Sequence, residues 1–490
     1  MLGNSTDLIQ EVRNDFAKLI ELVTGPPAHH ATLNQMERNV FRRVLRLGYQ
    51  LLRLFIVKRV EAESHASQAN PTGAVRPYHS QQEASYFSVF GKIAFRRAYF
   101  YTSGAGGLCP LDAALSLPER CYSDFLMEIT SLLAVDGVFD TGVEVVRNLL
   151  EVSVPKRAIE MAVAEHSRAV TAFYDQRATF PAKDEGPILV AQADGKGVPL
   201  VRDGVTPVEV RRGKGDKKTH KKEAIATAVY TIAPYRRTPQ MVVEALFKQD
   251  KPSEPMERPA PCHKQVFASL KGKAAAIKQL AARVAQREGR PIRARVALTD
   301  GAAALQKQML AQLPKFTLVL DIMHVDEHVW KAGTAVYGET DPQRATWVER
   351  QVLDILSSRT PEVIHRLEDT ADTLSKSSQA AKTLRQVANY FRRNQAYMDY
   401  AHYLRQGWPI GTGVIEGVCR HLVKDRLELA GMRWTVSGAE ALLALRAVHE
   451  NGDWEAFHEF RRAQQHQELY SEPLDETWLD LAERFEIKQF

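Results

Sequence analysis

Cysteine is scarce in this chain of 490 residues: there are four, Cys109, Cys121, Cys262 and Cys419, and no two form a CxxC pair. That spacing signals neither a disulfide framework nor a structural zinc site, and scattered thiols fit a reducing compartment. Long apolar runs are also missing, because charges interrupt each one before it could span a bilayer. The opening segment, MLGNSTDLIQEVRND, lacks the basic-then-apolar pattern of a signal peptide. Internal repeats, low-complexity tracts and an HExxH zinc motif are absent. The expectation is a soluble, cytoplasmic protein with no membrane partner.

Excess charge of one sign is small: 65 Lys and Arg against 59 Asp and Glu leave a formal charge of +6. It is unevenly spread. RRGKGDKKTHKK, residues 211–222, holds seven Arg or Lys against one Asp. Such a run is often a solvated loop, but beside an acidic site it is a candidate phosphate-binding segment, with Lys217, Lys218, Lys221 and Lys222 the contacting residues. Apolar content of 44% and charged content of 25% are those of an ordinary globular chain, long enough for several domains.

Hydrophobic periodicity divides the chain. Residues 1–63 read as a helical region with a long basic second helix, a candidate oligomerisation contact. Residues 64–83 are polar and broken by Pro and Gly, a linker. Residues 84–117 hold a β-hairpin centred near Gly91-Lys92. Residues 118–180 form a helical module resembling a helix-turn-helix, with Lys156 and Arg157 where a recognition helix would meet DNA. From 187 the texture becomes α/β. PILVAQAD, VPLVR and EAIATAVYTIAP read as three strands, 262–288 as one long helix, and RARVALTD and FTLVLD as two more strands, each followed by a helix. A core over 185–330 and 406–465, a helical insertion over 331–405 and a tail over 466–490 complete the expected organisation.

Three carboxylates stand out. Asp194 in QADGKG and Asp300 in VALTDGAA close strand-like runs, and Glu416 in GTGVIEG opens a basic helix. In isolation an Asp before Gly is usually a turn former. Together, three acids from separate elements match what a divalent-metal site for phosphoryl transfer requires, Mg²⁺ or Mn²⁺ held by carboxylate oxygens. If the strands are ordered 3-2-1-4-5, Asp194 and Asp300 lie side by side. Asp321 and His324 in LDIMH are competitors, either for the second acid or as residues that position substrate or water. His324, Asp326 and His328 are a weaker transition-metal candidate. After Glu416, Arg420 and Lys424 share a helical face suited to a phosphate backbone. Trp434, Trp408 and Tyr403 are candidates for base stacking, with core packing as the alternative.

These motifs, with the terminal GTGVIEGVCRHLVKDRLELAGMRW, resemble the DDE transposases of bacterial insertion sequences. The nearest resemblance is to the ISKra4-type group, and a more distant one is to ISL3-type and Mutator-like transposases. It is strongest over 185–460. It implies a ribonuclease H-like mixed-sheet core with an all-helical insertion, and a helical DNA-binding region before it. It also implies that Asp194, Asp300 and Glu416 hold two Mg²⁺ or Mn²⁺ ions. Water would attack the phosphodiester at an element end, and the released 3′-hydroxyl would attack target DNA. The implied partners are terminal inverted repeats, target DNA and further copies of the chain. A structure-specific nuclease or resolvase on the same fold, or a catalytically silent DNA-binding derivative, are the alternatives.

Overall fold

The computed structural model describes residues 4–69, 75–104, 106–178, 180–201, 221–247, 257–289 and 291–471. Contacts divide the chain into two compact units, Met1–Phe173 with Asp453–Phe490, and Tyr174–Gly452. No helix among the described residues is long and apolar enough to cross a membrane.

The first unit opens with an antiparallel helical pair, α1 (Ser5–Thr24) and α2 (Leu33–Glu61). Asn4 caps α1, and Thr32 with Gln35 forms a reciprocal capping box on α2. Acids of α1 meet bases of α2: Asp15 accepts from Gln50 at 2.8 Å and pairs with Arg46 at 3.3 Å. Strands β1 (Gln68–Ala69) and β2 (Val75–Arg76) pair with each other. Strands β3 (Tyr78–Ser88), β4 (Gly91–Thr102) and β5 (Gly106–Leu108) form an antiparallel sheet in that order. The hairpin therefore begins at Tyr78, inside the expected linker. Apart from one bridge between Phe87 and Tyr122, β3 pairs with β4 alone among the described residues, and much of it faces water, so its sequence is polar like a loop. Ile56 of α2, Ile93 and Phe95 of β4, and Leu111 of α3 (Pro110–Ala114) make the core beneath. Helices α4 (Asp124–Asp136), α5 (Phe139–Leu150) and α6 (Lys156–His166) then pack together, and α7 (Val170–Gln176) follows.

The second unit is built on a mixed five-stranded sheet. Its strands are β6 (Ile188–Pro199), β7 (Lys221–Ile232), β8 (Cys262–Ser269), β9 (Ala294–Thr299) and β10 (Thr317–Leu320), with α8 (Pro239–Phe247), α9 (Lys273–Ala285) and α10 (Ala303–Gln312) between them. The spatial order is β10-β9-β6-β7-β8, with β6, β9 and β10 parallel and β7 antiparallel to both its neighbours. That is the order 3-2-1-4-5, but its members differ from the expected ones. PILVAQAD runs unbroken into the Val198-Pro199 that opens VPLVR, as one strand and not two: β7 pairs with β6 from Ile188 to Pro199 straight through Gly195 and Gly197. The third strand is CHKQVFAS, read from sequence as the start of a helix. The helix begins only after Gly272, whose φ of +93° suits glycine and breaks the chain direction.

Alternation along these strands fills both faces of the sheet. Val190, Val296, Leu298 and Val319 enter one core, and Leu189, Ala191, Ala297 and Leu318 enter the other, with Ile277 and Leu280 of α9. The first core continues into a wholly helical stretch: α11 (Ile322–Tyr337), α12 (Gln343–Leu356), α13 (Thr360–Thr373), α14 (Gln379–Asn394) and α15 (Tyr400–Gln406). The chain returns to the sheet through α16 (Gly413–Val418), a π-helical stretch (Cys419–Lys424), α17 (Asp425–Leu427) and α18 (Val436–Glu450). Finally α19 (Trp454–Tyr470) belongs to the first unit, where Arg461 pairs with Asp124 at 2.8 Å and Arg462 with Glu128 at 2.5 Å. The second unit thus ends at Gly452, and α19 runs through the expected boundary at 465.

One buried ion pair secures the β8 edge. The β7–β8 register shifts between Val229 and Thr231, which frees carbonyls from the ladder. Arg287 answers them, donating to Val229 O at 3.3 Å, His263 O at 2.7 Å and Cys262 O at 3.4 Å. It also pairs with Glu185 through two nitrogens, at 2.8 and 2.6 Å, and both side chains are almost wholly buried. Arg287→Met strands a buried carboxylate and these carbonyls together. We expect a loss of about 3–5 kcal/mol in chemical denaturation followed on the second unit; a loss below about 1 kcal/mol would refute this account of the edge.

Candidate active site

Parallel register brings three aspartates to one level. Pairing between β6 and β9 ends at Gln192–Leu298, and between β9 and β10 it ends at Thr299–Leu320. Asp194 and Asp300 each follow two residues after the first pair, and Asp300 and Asp321 each follow one residue after the second. Asp194 is not at a strand end, since β6 continues along β7. It sits where β6 loses its parallel neighbour. By alternation all three carboxylates share the sheet face of Val190, Leu298 and Val319, the face on which α16 packs.

Each acid has a distinct environment. Asp194 is half-buried; its Oδ1 accepts from Gly195 N at 2.6 Å, and its Oδ2 lies 3.5 Å from the thiol of Cys419. Burial pushes its carboxyl up, the Gly195 amide opposes that, and the charge of Asp300 pushes it up further. Asp300 accepts from Ala302 N at 2.9 Å. Its turn is clasped by α14, where Tyr390 donates to Asp300 O and Arg393 to Gly301 O, both at 3.1 Å. Gly301, at φ +87°, has Tyr390 Oη 2.6 Å from where a Cβ would stand.

Asp321 is fully buried at the start of α11 and accepts four hydrogen bonds. Oδ1 takes Met323 N at 3.2 Å and Thr412 N at 3.0 Å, and Oδ2 takes Thr412 Oγ1 and His324 Nδ1, each at 2.7 Å. The bond to Asp321 raises the pKa of His324 to about 9 against the cost of burial. Glu416 is exposed on the short helix α16, and its Oε1 lies 3.3 Å from Thr412 Oγ1. One turn later Cys419 touches Asp194, and burial with that carboxylate drives its thiol pKa well up.

Thr412 joins Glu416 to Asp321 and so to His324, Cys419 reaches Asp194, and the charge of Asp300 acts on both Asp194 and His324. Among the described residues none of Asp194, Asp300 and Glu416 forms an ion pair, and no three His, Cys, Asp or Glu side chains are gathered closely enough to hold a metal ion. The chemistry of the donors, half-buried and exposed carboxylates without cationic partners, fits a hard divalent cation, although no cage is preformed. The rings of the alternative trio are engaged elsewhere: Nδ1 of His324 is held by Asp321 at 2.7 Å, and His328 stacks on Tyr390 at 3.8 Å, where burial lowers its pKa to about 4. Burial raises Asp326 to about 6.

The expected basic contacts are scattered. Lys217 and Lys218 lie outside the described residues. Lys221 begins β7 and pairs with Glu428 at 2.5 Å, and Lys222 follows it on the strand. Arg420 and Lys424 are exposed in the π-helical stretch, where i→i+5 bonding widens the turn, and Arg420 lies 4.0 Å from Asp425. In the first unit Lys156 and Arg157 are exposed at the start of α6, with Lys156 2.9 Å from Asp140. The three aromatics are packing residues: Trp434 is buried and bonds Leu427 O, and Tyr403 stacks on Trp408 at 5.6 Å. Sequence reasoning overlooked Gln192, Thr412, Cys419 and Tyr390. The first three stand within four residues of an acid already singled out, which is the signal that was available.

No family model and no curated protein matches the chain. Among solved structures, one similar chain is from a Drosophila P element transposase strand transfer complex, at 10% identity and a TM-score of 0.24, covering 75% of this chain and 86% of that one. At that TM-score the likeness carries no weight for fold or function.

The His324–Asp321 pair has a definite pH signature. Because the folded pKa is raised, the pair's contribution to stability is fully present below about 6.5 and lost as pH rises through about 9. The ring protons of His324 in an NMR titration should move with a midpoint near 9; a midpoint at or below the ordinary histidine value would remove the ion pair.

Proposed function

We propose that this chain is a DDE-type DNA transposase, which cleaves phosphodiesters at the ends of a mobile element and joins them to target DNA. The observation that carries the reading is the level placement of Asp194 and Asp300 on adjacent parallel strands, with Glu416 presented on the same sheet face. The mixed sheet with order 3-2-1-4-5 is compatible with a ribonuclease H-like core. The resemblance of GTGVIEGVCRHLVKDRLELAGMRW to insertion-sequence transposases supports the choice of substrate.

Asp194, Asp300 and Glu416 would hold Mg²⁺ or Mn²⁺ through their carboxylate oxygens. Bound there, a divalent ion lowers the pKa of water and stabilises the leaving oxygen. The chain supplies the rest. Burial of Asp194 keeps bulk water from competing for its oxygens. His324, protonated at neutral pH, has Nδ1 engaged by Asp321 and leaves Nε2 to donate to a phosphate oxygen. Arg420 and Lys424 meet the backbone of the same strand, and Lys156 and Arg157 the DNA bound by the first unit. Two element ends must be held together for joining, which a dimer or larger assembly of this chain provides.

The test uses duplex DNA taken from either side of the coding sequence, incubated with purified protein and Mg²⁺ or Mn²⁺. Wild type should nick at an element end and join the 3′-hydroxyl to a second duplex. Asp194→Asn, Asp300→Asn and Glu416→Gln should each lower cleavage roughly a thousandfold or more while gel-shift binding persists. Cleavage without joining would favour a nuclease, and full activity in all three variants would eliminate the carboxylate site. Separately, Arg420→Ala with Lys424→Ala should flatten the salt dependence of DNA binding by about one unit of slope per residue; an unchanged slope would take this face away from DNA.

A further inference from the structure

Helix α16 starts without a side-chain cap of its own. The orphan amides of a helix start must find acceptors elsewhere when they are buried, and here two side chains from other elements provide them. Ile415 N donates to Gln192 Oε1 at 3.0 Å, and Thr412 N donates to Asp321 Oδ1 at 3.0 Å. Both acceptors are completely buried. Gln192 lies on β6, two residues before Asp194 and on the same face. Its amide is oriented from behind by Tyr230 of β7, with Nε2 3.1 Å from the phenol oxygen. Asp321 stands at the end of β10, across the sheet from Gln192. The helix that carries Glu416 is thus pinned at two points to strands adjoining those that present Asp194 and Asp300, or to the strand itself.

The four bonds to Asp321 decide a second point. A carboxylate offers about four acceptor sites, and Met323 N, His324 Nδ1, Thr412 N and Thr412 Oγ1 occupy as many. Asp194 and Asp300 are not used up in this way. Asp300 takes one described donor, and one oxygen of Asp194 meets only a thiol at 3.5 Å.

We propose that Gln192 and Asp321 are positioning residues, two buried acceptors that cap α16 from the sheet and set Glu416 against Asp194 and Asp300, and that Asp321 is not itself a ligand. The inference rests on the transposase reading only for what the positioned carboxylates hold.

Two measurements on the full chain separate the clamp from that reading. The first is hydrogen exchange without metal. In wild type the amides of Thr412, Ile415 and Glu416 should be protected. Gln192→Leu should lose roughly tenfold or more of the protection at Ile415, and Asp321→Ala the same at Thr412, while β6–β7 amides stay unchanged. Asp321→Asn keeps an oxygen for Thr412 N and should retain protection there. Should Gln192→Leu not fold, Tyr230→Phe removes only the partner that orients the Gln192 amide and should still lower protection at Ile415 several-fold. Unchanged exchange at Ile415 in these variants would overturn the clamp.

The second measurement is Mn²⁺ alone, titrated by water-proton relaxation. Gln192→Leu and Asp321→Ala should weaken binding roughly tenfold, in the range of residues that orient metal ligands. Asp321→Asn should weaken it less than about threefold, and Asp300→Asn much more. If Asp321→Asn weakened it as much as Asp300→Asn, Asp321 would be a ligand and the proposal wrong. If wild type bound no Mn²⁺, the metal reading would fall, and the exchange experiment would still decide the clamp.

Discussion

The parallel register of β6, β9 and β10 is the constraint from which the rest of the carboxylate edge follows. A one-residue slip of β9 against β6 would turn Asp300 to the opposite face and leave Asp194 alone on α16's side. The register holds because both faces of the sheet are filled. Val190, Val296, Leu298 and Val319 are buried against the helical stretch that follows β10, and Leu189, Ala191, Ala297 and Leu318 against α9 and α10. A slip would exchange these two sets and lay each apolar row where the other side's packing does not fit. The position of two acids at the sheet edge is therefore set by hydrophobic residues that never approach the chemistry.

The helical stretch between α11 and α15 has a second role beside covering that face. It reaches the site directly, because Tyr390 and Arg393 of α14 bond the carbonyls of Asp300 and Gly301. The turn after β9 is consequently fixed from above as well as from its own strand. His328 of α11 packs on the Tyr390 ring, which makes it part of that support, and burial keeps it neutral. Its neighbour one turn earlier, His324, keeps its proton because Asp321 faces it. Two histidines on one helix thus differ in charge at neutral pH, one through its carboxylate partner and the other through burial.

How far this could be read from sequence depends on which interactions were local. Asp194, Asp300, Asp321 and Glu416 were legible because each sits in a short motif with glycine or strand residues around it. The alternation of strand and helix after residue 187 was legible for the same reason. The strand CHKQVFAS was not. Its residues also fit a helical stripe, and what makes it a strand is pairing with β7 and the capture of its carbonyls by Arg287, both distant in sequence. The extra length of β6 escaped notice because glycines at 195 and 197 signal a turn locally, whereas twelve pairs with β7 keep the strand extended. Trp434, Trp408 and Tyr403 carried no signal that separates a stacking surface from packing; burial alone decides it.

The distribution of exposure among the acids bears on how such an edge can work. Asp321 is sealed and saturated with donors, Asp194 and Asp300 are half-buried, and Glu416 is open to solvent. Burial raises the cost of the charge on Asp194, and the nearby charge of Asp300 raises it again, so keeping that carboxylate ionised costs stability. Fully exposed acids would avoid that cost but would be screened and mobile. Fully buried ones would be unreachable for any ligand from solvent. Placing two acids on rigid strands and the third on a short helix resolves the conflict, provided that the helix is held as firmly as a strand would be. The buried bonds from Gln192 and Asp321 meet that condition, and they do so with side chains that share the register fixing Asp194 and Asp300.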